Sequence, residues 1–148
     1  PHPPIVIGGQ GRKWIMPLVA RYANEWNVAV GVPPDGIRSR LEAVRAECRR
    51  VKRDPCLRNV SVFLPLANIT SVPLAGPLTR LGARLLVDER VARSVLAGSA
   101  DAIQEQIRGY VEAGATSIVI TTRPGINHDL MRRFAAEVMP GLRSPKDR

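Results

Sequence analysis

The strongest constraint on the fold of this chain is the alternation of short β-branched runs with longer helical segments. The first run, Ile5-Val6-Ile7, leads into the glycine loop Gly8-Gly9-Gln10-Gly11, and Ile118-Val119-Ile120 is followed by a glycine-containing loop of its own. Two similar strand-and-loop segments of this kind are typical of a repeated β/α unit. Strands that alternate with helices pair in parallel through right-handed crossovers, so the sequence predicts an α/β fold with parallel strands.

Periodicity and glycine or proline breaks predict the element order β-α-β-α-β-α-α-β-α. The predicted strands are apolar throughout, which favours a sheet covered on both faces. Gly98-Ser99 separates two consecutive helices, and Gly114 ends the second of them. The predicted strands are 5–7, 26–32, 60–66 and 117–121, and the predicted helices are 14–22, 37–52, 78–96, 101–113 and 129–138, with 70–77 irregular.

Length and composition are those of one globular region. The 148 residues are 45% apolar and 24% charged, and no linker-like stretch divides them. We therefore expect a single region over residues 1–148, with a frayed tail at 142–148. The chain opens without an initiator Met or a signal peptide and looks like the middle of a longer chain. No apolar run approaches the roughly 18 residues of a membrane span, so no membrane partner is expected.

The cysteine content points to a reducing compartment. Cys48 and Cys56 are too few for a disulfide framework or a four-cysteine zinc site, and Cys48 lies on an apolar helix stripe that is typical of a core. We expect a cytoplasmic protein without a metal site.

The charge raises nucleic acid as a partner. The chain has 22 basic and 13 acidic residues, a net charge of +9 and a sequence pI of about 10.9. The basic residues are spread along the chain, and their densest run, 45–53, lies at a helix end, where cations complement the dipole. Aromatic residues, the stacking partners of bases, are only 4% of the chain. Nucleic-acid binding is therefore the least favoured interpretation.

The loop after the first strand is the most informative candidate site. Loops that follow parallel strands share one face, where ligands bind. Glycines at three of the four positions 8–11 let backbone N–H groups approach an anion, and the helix from Trp14 adds its positive end. Arg12 and Lys13 supply charge. The loop predicts a phosphate site; the alternative is a turn that serves only tight packing. It lacks both the dinucleotide fingerprint and the Gly-Lys-Ser/Thr of a P-loop.

Catalytic groups are scarce. His2 lies at the start of the chain, and His128 opens the last helix. Asp35 and Asp129 are isolated on the loop face, and the other carboxylates are typical of solvated helix faces. The catalytic residues stay unassigned. Trp26 and Asn27, in the second strand, are candidates for lining a pocket, although a buried Trp is as often plain core.

Two segments carry a resemblance to a known family. Residues 3–11 (PPIVIGGQG), followed by 20–27 (ARYANEWN), resemble the luciferase-like monooxygenase family, the bacterial-luciferase superfamily of flavin- or coenzyme F-420-dependent oxidoreductases. Later landmarks agree in order: a helix ending at 53–55 (RDP), a helix over 103–113 before Gly114, and the closing segment 134–140 (FAAEVMP). The resemblance covers almost the whole chain.

The resemblance implies the C-terminal half of a TIM (β/α)8 barrel, strands five to eight, because a whole barrel takes about 250 residues. Such a half should pair with another copy, as a homo-oligomer, or with a missing N-terminal half-barrel, and is a fragment of an enzyme if it needs that half. The implied function is an oxidoreductase that uses reduced flavin (FMN) or coenzyme F-420 for hydride transfer or monooxygenation of an unknown small molecule. The alternative is a non-catalytic half-barrel that binds a phosphate ligand or self-associates.

The resemblance also implies the cofactor-binding residues. The family's cofactor phosphate lies at the glycine loop, which corresponds here to Gly8, Gly9, Gln10, Gly11 and Arg12, and the cofactor-facing end of the next strand corresponds to Trp26 and Asn27. The sequence departs from the family at Asn24-Glu25, where Asp-Gly is common.

Overall fold

The computed structural model describes residues 2–54, 56–72, 74–86, 88–122 and 127–142. The strands in these ranges are β1 (Val6–Gly8), β2 (Glu25–Val28), β3 (Asn59–Ile69), β4 (Leu96–Gly98) and β5 (Ser117–Thr121). The helices are α1 (Ile15–Tyr22), α2 (Pro34–Arg50), α3 (Ala75–Leu86), α4 (Glu89–Ser94), α5 (Ala100–Glu112) and α6 (His128–Arg133), which continues as a π-helical turn (Phe134–Val138) and a 3₁₀ turn (Met139–Leu142).

The chain forms two compact units. The first contains Pro1–Phe63 and Tyr110–Val119, and the second contains Leu64–Gly109 and Ile120–Arg148. The single region expected from composition stays a prediction. Of the expected tail, residue 142 ends the 3₁₀ turn, and residues 143–148 lie outside the described residues. No helix in the described ranges has both the length and the apolar character needed to cross a membrane.

Parallel strand pairing organises the first unit. β1 pairs with β2, with Ile7 opposite Trp26, and β2 pairs with β3, with Asn27 opposite Ser61. β5 pairs with β3, and just before β5 the N–H of Thr116 donates to the carbonyl of Val60 over 2.9 Å. The sheet confirms the prediction of parallel strands alternating with helices.

Amphipathic helices cover this sheet. α1 packs against α2, and both bury one stripe of side chains at helical spacing. Trp26 and Val28 of β2 are fully buried. The buried stripes are Met16, Val19 and Ala20 on α1 and Ile37, Leu41, Val44 and Cys48 on α2.

The second unit has its own core and polar ties. Ile103 and Ile107 of α5 are buried one turn apart, as are Phe134 and Val138 of the π-helical turn. The Gln104 amide of α5 donates to the carbonyl of Glu137 over 3.3 Å. Hydrogen bonds from helix side chains to backbone carbonyls therefore fix the closing helix in this unit.

The predicted helix over 78–96 is wrong. α3 ends at Leu86, and a separate helix, α4, starts because the Asp88 carboxylate accepts the backbone N–H of Arg90 over 2.6 Å. Leu96–Gly98 then forms β4, which pairs in parallel with β3 from Leu66 onward. The strand was missed because three apolar residues after a helix carry no period of their own, so only pairing with β3 makes them a strand.

The two cysteines form a disulfide. Cys48, near the end of α2, is bonded to Cys56 in the turn before β3, with their Cα atoms 5.5 Å apart. Two cysteines are too few for a framework of several disulfides, as expected from the sequence, but they are enough for this single bond. Cys48 is also 2% exposed, so the prediction that it belongs to the core is confirmed.

Candidate functional site

The loop between β1 and α1 needs glycine at one position. Gly9 has φ +122°, a conformation that L side chains rarely adopt, and a Cβ atom there would lie 3.4 Å from the Ile15 side chain. The other loop glycines have ordinary φ angles, and added Cβ atoms would meet Asn27 at 3.8 Å from Gly8 and Ile15 at 3.4 Å from Gly11. Gly9 therefore sets the turn that carries the chain from β1 into α1.

This loop leaves a run of backbone donors unpaired. The N–H groups of Ile15 and Met16 both donate to the carbonyl of Gly11, over 3.0 and 3.1 Å. The five preceding N–H groups, residues 10–14, have no acceptor among the described residues. The N-cap residue of α1, Trp14, makes no side-chain capping bond. A glycine turn and an uncapped helix start thus present consecutive donors on one exposed loop, an arrangement that suits an anion.

Three cations adjoin these donors. The Arg12 guanidinium donates to the Ser39 hydroxyl of α2. Arg40, also on α2, donates from Nε to the carbonyl of Gln10 over 3.4 Å. The Lys13 ammonium lies 5.2 Å from the centre of the Trp14 ring. The loop is therefore electropositive.

Sequence reasoning missed Arg40. It lies 30 residues from Gln10 and inside a helix that was assigned only to packing. The available signal was the shared face of the β/α loops, since α2 begins directly after the loop that follows β2.

Trp26 and Asn27 support the loop from the strand beneath it. Trp26 is fully buried, and its indole N–H donates to the carbonyl of Gly9 over 2.9 Å. The carbonyl of Asn27 accepts the N–H of Gly9 over 3.2 Å, and its amide donates to Ser61 over 2.8 Å. Gln10 is tied down by its own amide, which donates to the carbonyl of Val30 over 3.2 Å. All seven sequence-predicted residues therefore lie together in the first unit, with Trp26 holding the loop from below.

Next to Asn27, a polar cluster surrounds Glu25. The half-buried Glu25 carboxylate accepts hydrogen bonds from the Asn59 amide over 2.6 Å and from the Ser61 hydroxyl. The Thr116 hydroxyl donates to Asn59. The Glu25 position where the sequence departs from the family pattern is thus built into the pairing of β2 with β3.

Among the residues that the structure describes, the remaining titratable groups form no second site. His128 is the first residue of α6, as predicted, and the Asn127 side chain caps this helix by accepting the N–H of Leu130 over 3.0 Å. The loop Arg123-Pro124-Gly125, predicted on the ligand face, lies outside the described residues. Within the described ranges, no group of three or more His, Cys, Asp or Glu side chains is arranged to hold a metal ion.

Shifted pKa values fall on structural groups. Hydrogen bonds from arginines one helical turn away lower the pKa of Glu47, Glu89 and Glu137, all in exposed ion pairs. Burial raises the pKa of Tyr110 to about 12. None of these groups lies in the glycine loop, so the shifts point to no acid or base there.

No protein-family model matches the sequence, and no curated protein sequence matches it. Solved structures do match. Coenzyme F420-dependent tetrahydromethanopterin reductase from Methanopyrus kandleri matches with a TM-score of 0.68 and 14% identity, over 95% of this chain and 51% of that one. An F420-dependent secondary alcohol dehydrogenase, in complex with an F420–acetone adduct, matches with a TM-score of 0.70 and 16% identity, over 97% of this chain and 50% of that one.

A monooxygenase also shares this structure. The oxygenating constituent of 3,6-diketocamphane monooxygenase from Pseudomonas putida, in complex with FMN, matches with a TM-score of 0.63 and 16% identity, over 97% of this chain and 50% of that one. All three enzymes belong to the luciferase-like family. The chain has their fold. It spans about half the length of each enzyme, which confirms the predicted half-barrel of parallel strands and, at the level of the fold, the resemblance.

Proposed function

We propose that this chain is the C-terminal half of a luciferase-like oxidoreductase and that the loop Gly8–Arg12 binds the phosphate of coenzyme F-420 or FMN. The observation that carries the proposal is the run of five backbone N–H groups, residues 10–14, that have no acceptor among the described residues and lead into the uncapped start of α1. The shared fold supports the same cofactors, because the similar structures include two F420-dependent enzymes and one in complex with FMN.

The residues fit a phosphate in charge as well as geometry. The loop N–H groups would donate to the phosphate oxygens, and Arg12, Lys13 and Arg40 would balance their charge. Hydrogen bonds to charged groups contribute about 1.5–3 kcal/mol each. Gly9 keeps the backbone accessible, and the Trp26 indole fixes the Gly9 carbonyl, so the donors would be organised before the ligand arrives. When bound, the cofactor supplies the hydride or, as reduced flavin, the oxygen chemistry.

The other half of the barrel is part of this proposal. We propose that an N-terminal half-barrel or a second copy of the chain covers the open sheet and completes a site for a small-molecule substrate. The exposed side of β1 supports this, since Val6 is 55% exposed and β1 pairs only with β2 among the described strands. Without such a partner, the same loop would make the chain a phosphate-binding half-barrel with no turnover.

A cytoplasmic location is also proposed, and the disulfide supplies its test. Cytosolic thiols are kept reduced, so Cys48 and Cys56 would be free thiols there and would form their bond only after oxidation. Thiol alkylation in freshly lysed cells should label both residues. A protein that resists alkylation until a reductant is added would point to an oxidising compartment.

Equilibrium dialysis of the folded chain against FMN and, separately, coenzyme F-420 tests the cofactor proposal. Arg12→Ala should weaken binding about 10- to 100-fold, because a charged hydrogen-bond donor is lost. Arg49→Ala is the matched control, since Arg49 is exposed near the end of α2 and its side chain has no partner among the described residues. Equal losses in the two variants would mean that net charge, rather than this loop, holds the ligand.

Turnover separates the two versions of the function. A chain that binds the cofactor should oxidise or reduce a substrate once its partner half is present. Binding without any turnover, in the completed assembly, would favour the non-catalytic half-barrel.

A further inference from the structure

A cavity lies within the second compact unit, whereas the glycine loop belongs to the first. Its volume is about 390 Å³. Leu66 and Ala67 of β3 form one wall, Gly82 and Ala83 of α3 form another, and Thr121 at the end of β5 closes a third side. No charged side chain is among the described residues that line it, so the cavity does not suit an anion such as a cofactor phosphate.

A glycine that the fold does not require lies in the wall of this cavity. Gly82 is inside α3, where glycine stabilises the helix less than alanine would. Its φ angle is not positive, and a Cβ atom there would meet no other atom within 4 Å. Gly76 in the same helix differs, because its Cβ atom would lie 2.7 Å from the carbonyl oxygen of Ala97. Packing therefore explains Gly76, whereas Gly82 faces open space at the cavity wall, where only a side chain much larger than a methyl group would fill the cavity.

Two hydroxyl groups in this cavity are available to a ligand. The third, on Thr79, is already used: it donates to the carbonyl of Ala75 over 2.8 Å and accepts from the Asn68 amide over 2.6 Å. The hydroxyls of Thr121 and Thr122 make no hydrogen bond within the described part of the chain. They lie at the carboxyl end of β5, the end of a parallel strand at which ligands bind in β/α proteins.

We propose that this cavity binds a neutral, mainly apolar molecule with one hydrogen-bonding group, a carbonyl or a hydroxyl, directed at Thr121 and Thr122. A cavity of 150 Å³ holds benzene, so about 390 Å³ holds a molecule of about 15 non-hydrogen atoms. This size is at the lower end of small-molecule sites. Calling the molecule the substrate rests on the proposed function; its binding does not.

The probe is 2-acetylnaphthalene, a neutral aromatic ketone, and its matched anion is 2-naphthoate. Calorimetric titration of the full chain should show ketone binding at least about tenfold tighter than naphthoate binding, because the cavity offers no cation. Gly82→Ala should keep the ketone affinity within about twofold, since one methyl group meets no atom. Gly82→Trp should weaken it at least about tenfold by filling the space. Circular dichroism confirms that each variant is folded.

Equal affinity for ketone and naphthoate, or unchanged ketone binding by folded Gly82→Trp, would overturn the proposal. If Gly82→Trp does not fold, Thr121→Val decides, because it removes a hydroxyl at nearly constant volume. That variant should lower ketone affinity by about fivefold, and unchanged affinity would overturn the assignment.

The same variants separate this inference from the proposed function. Arg12→Ala should weaken FMN or coenzyme F-420 binding and leave ketone binding intact. Gly82→Trp should weaken ketone binding and leave FMN or coenzyme F-420 binding intact. If the wild-type chain binds the ketone but neither FMN nor coenzyme F-420, the proposed oxidoreductase function is wrong and the proposed apolar site stands.

Discussion

The glycine loop of the first unit and the apolar cavity of the second are built in opposite ways. The loop presents backbone donors and cations, and buried groups beneath it, such as the Trp26 indole, hold it in place. The cavity is bounded mainly by apolar side chains, with open space at Gly82 and the hydroxyls of Thr121 and Thr122 at one side. A loop of the first kind selects charge, and a cavity of the second kind selects shape and apolarity. A cofactor enzyme needs both kinds of selection, for the phosphate and for the substrate.

Substitutions of Gly9 in the loop and Gly82 in the cavity should have the largest and most different effects on stability and cofactor affinity. Gly9→Val places a β-branched side chain at φ +122° and against Ile15, which should cost about 1–3 kcal/mol of folding free energy and lower cofactor affinity more than about 100-fold. Gly82→Ala should instead stabilise the chain by about 1 kcal/mol. Urea unfolding with parallel dialysis measures both. A Gly9→Val chain as stable and as tightly binding as wild type would show that the turn has no special conformation.

Removing the disulfide should have the next largest effect. The Cys48–Cys56 bond closes a loop of eight residues, for which the chain-entropy account gives about 2–3 kcal/mol. Urea unfolding with and without a reductant should therefore give different midpoints. The Cys48→Ala/Cys56→Ala double variant serves as the control, since it should not respond to the reductant. Identical midpoints for the oxidised and reduced chains would contradict the expectation.

Trp26→Phe tests whether the buried residue beneath the glycine loop supports it, because this substitution leaves the exposed residues of the loop unchanged. The variant loses the hydrogen bond to Gly9 and part of a fully buried ring, which together cost about 2 kcal/mol. Cofactor affinity should also fall, because the glycine loop loses the hydrogen bond that holds the Gly9 carbonyl. Trp14→Phe is the matched control, since Trp14 is 71% exposed and should change stability by less than about 0.5 kcal/mol. If Trp26→Phe and Trp14→Phe change stability and cofactor affinity equally, Trp26 does not support the glycine loop.

Tyr110→Phe should have the smallest effect and the opposite sign. Within the described ranges, the Tyr110 hydroxyl is the one buried side-chain polar atom without a hydrogen-bond partner, so its removal should stabilise the chain by about 1 kcal/mol. Burial raises the pKa of Tyr110 from 10.0 to about 12, so the unfolded chain loses this proton first as the pH rises. The contribution of Tyr110 to wild-type stability should therefore be constant below pH 10 and should fall between about pH 10 and 12.

Unfolding free energies measured from pH 8 to 12 check the Tyr110 prediction. The Phe variant should lack the part of the alkaline decline that Tyr110 causes. Parallel curves for the two proteins would mean that the hydroxyl titrates normally.

The sequence predicted local elements well and tertiary ones poorly. The bounds of β5 agree exactly with the prediction, and the glycine loop was found because a β-branched run followed by glycines is a local signal. The division of the predicted helix 78–96 was missed because it depends on the Asp88 cap and on pairing of β4 with β3. Arg40 and the Cys48–Cys56 bond were missed because both join residues through the folded chain.

Whether the glycine loop binds a cofactor phosphate is decided by comparing each cofactor with its phosphate-free form. The measurement is equilibrium dialysis of the folded chain against FMN and riboflavin, and against coenzyme F-420 and its deazaflavin portion without the phosphate. The loop predicts that one phosphorylated form binds at least about tenfold tighter than its phosphate-free counterpart, since charged hydrogen bonds contribute about 1.5–3 kcal/mol each. Equal affinity with and without the phosphate would show that the glycine loop does not bind the phosphate.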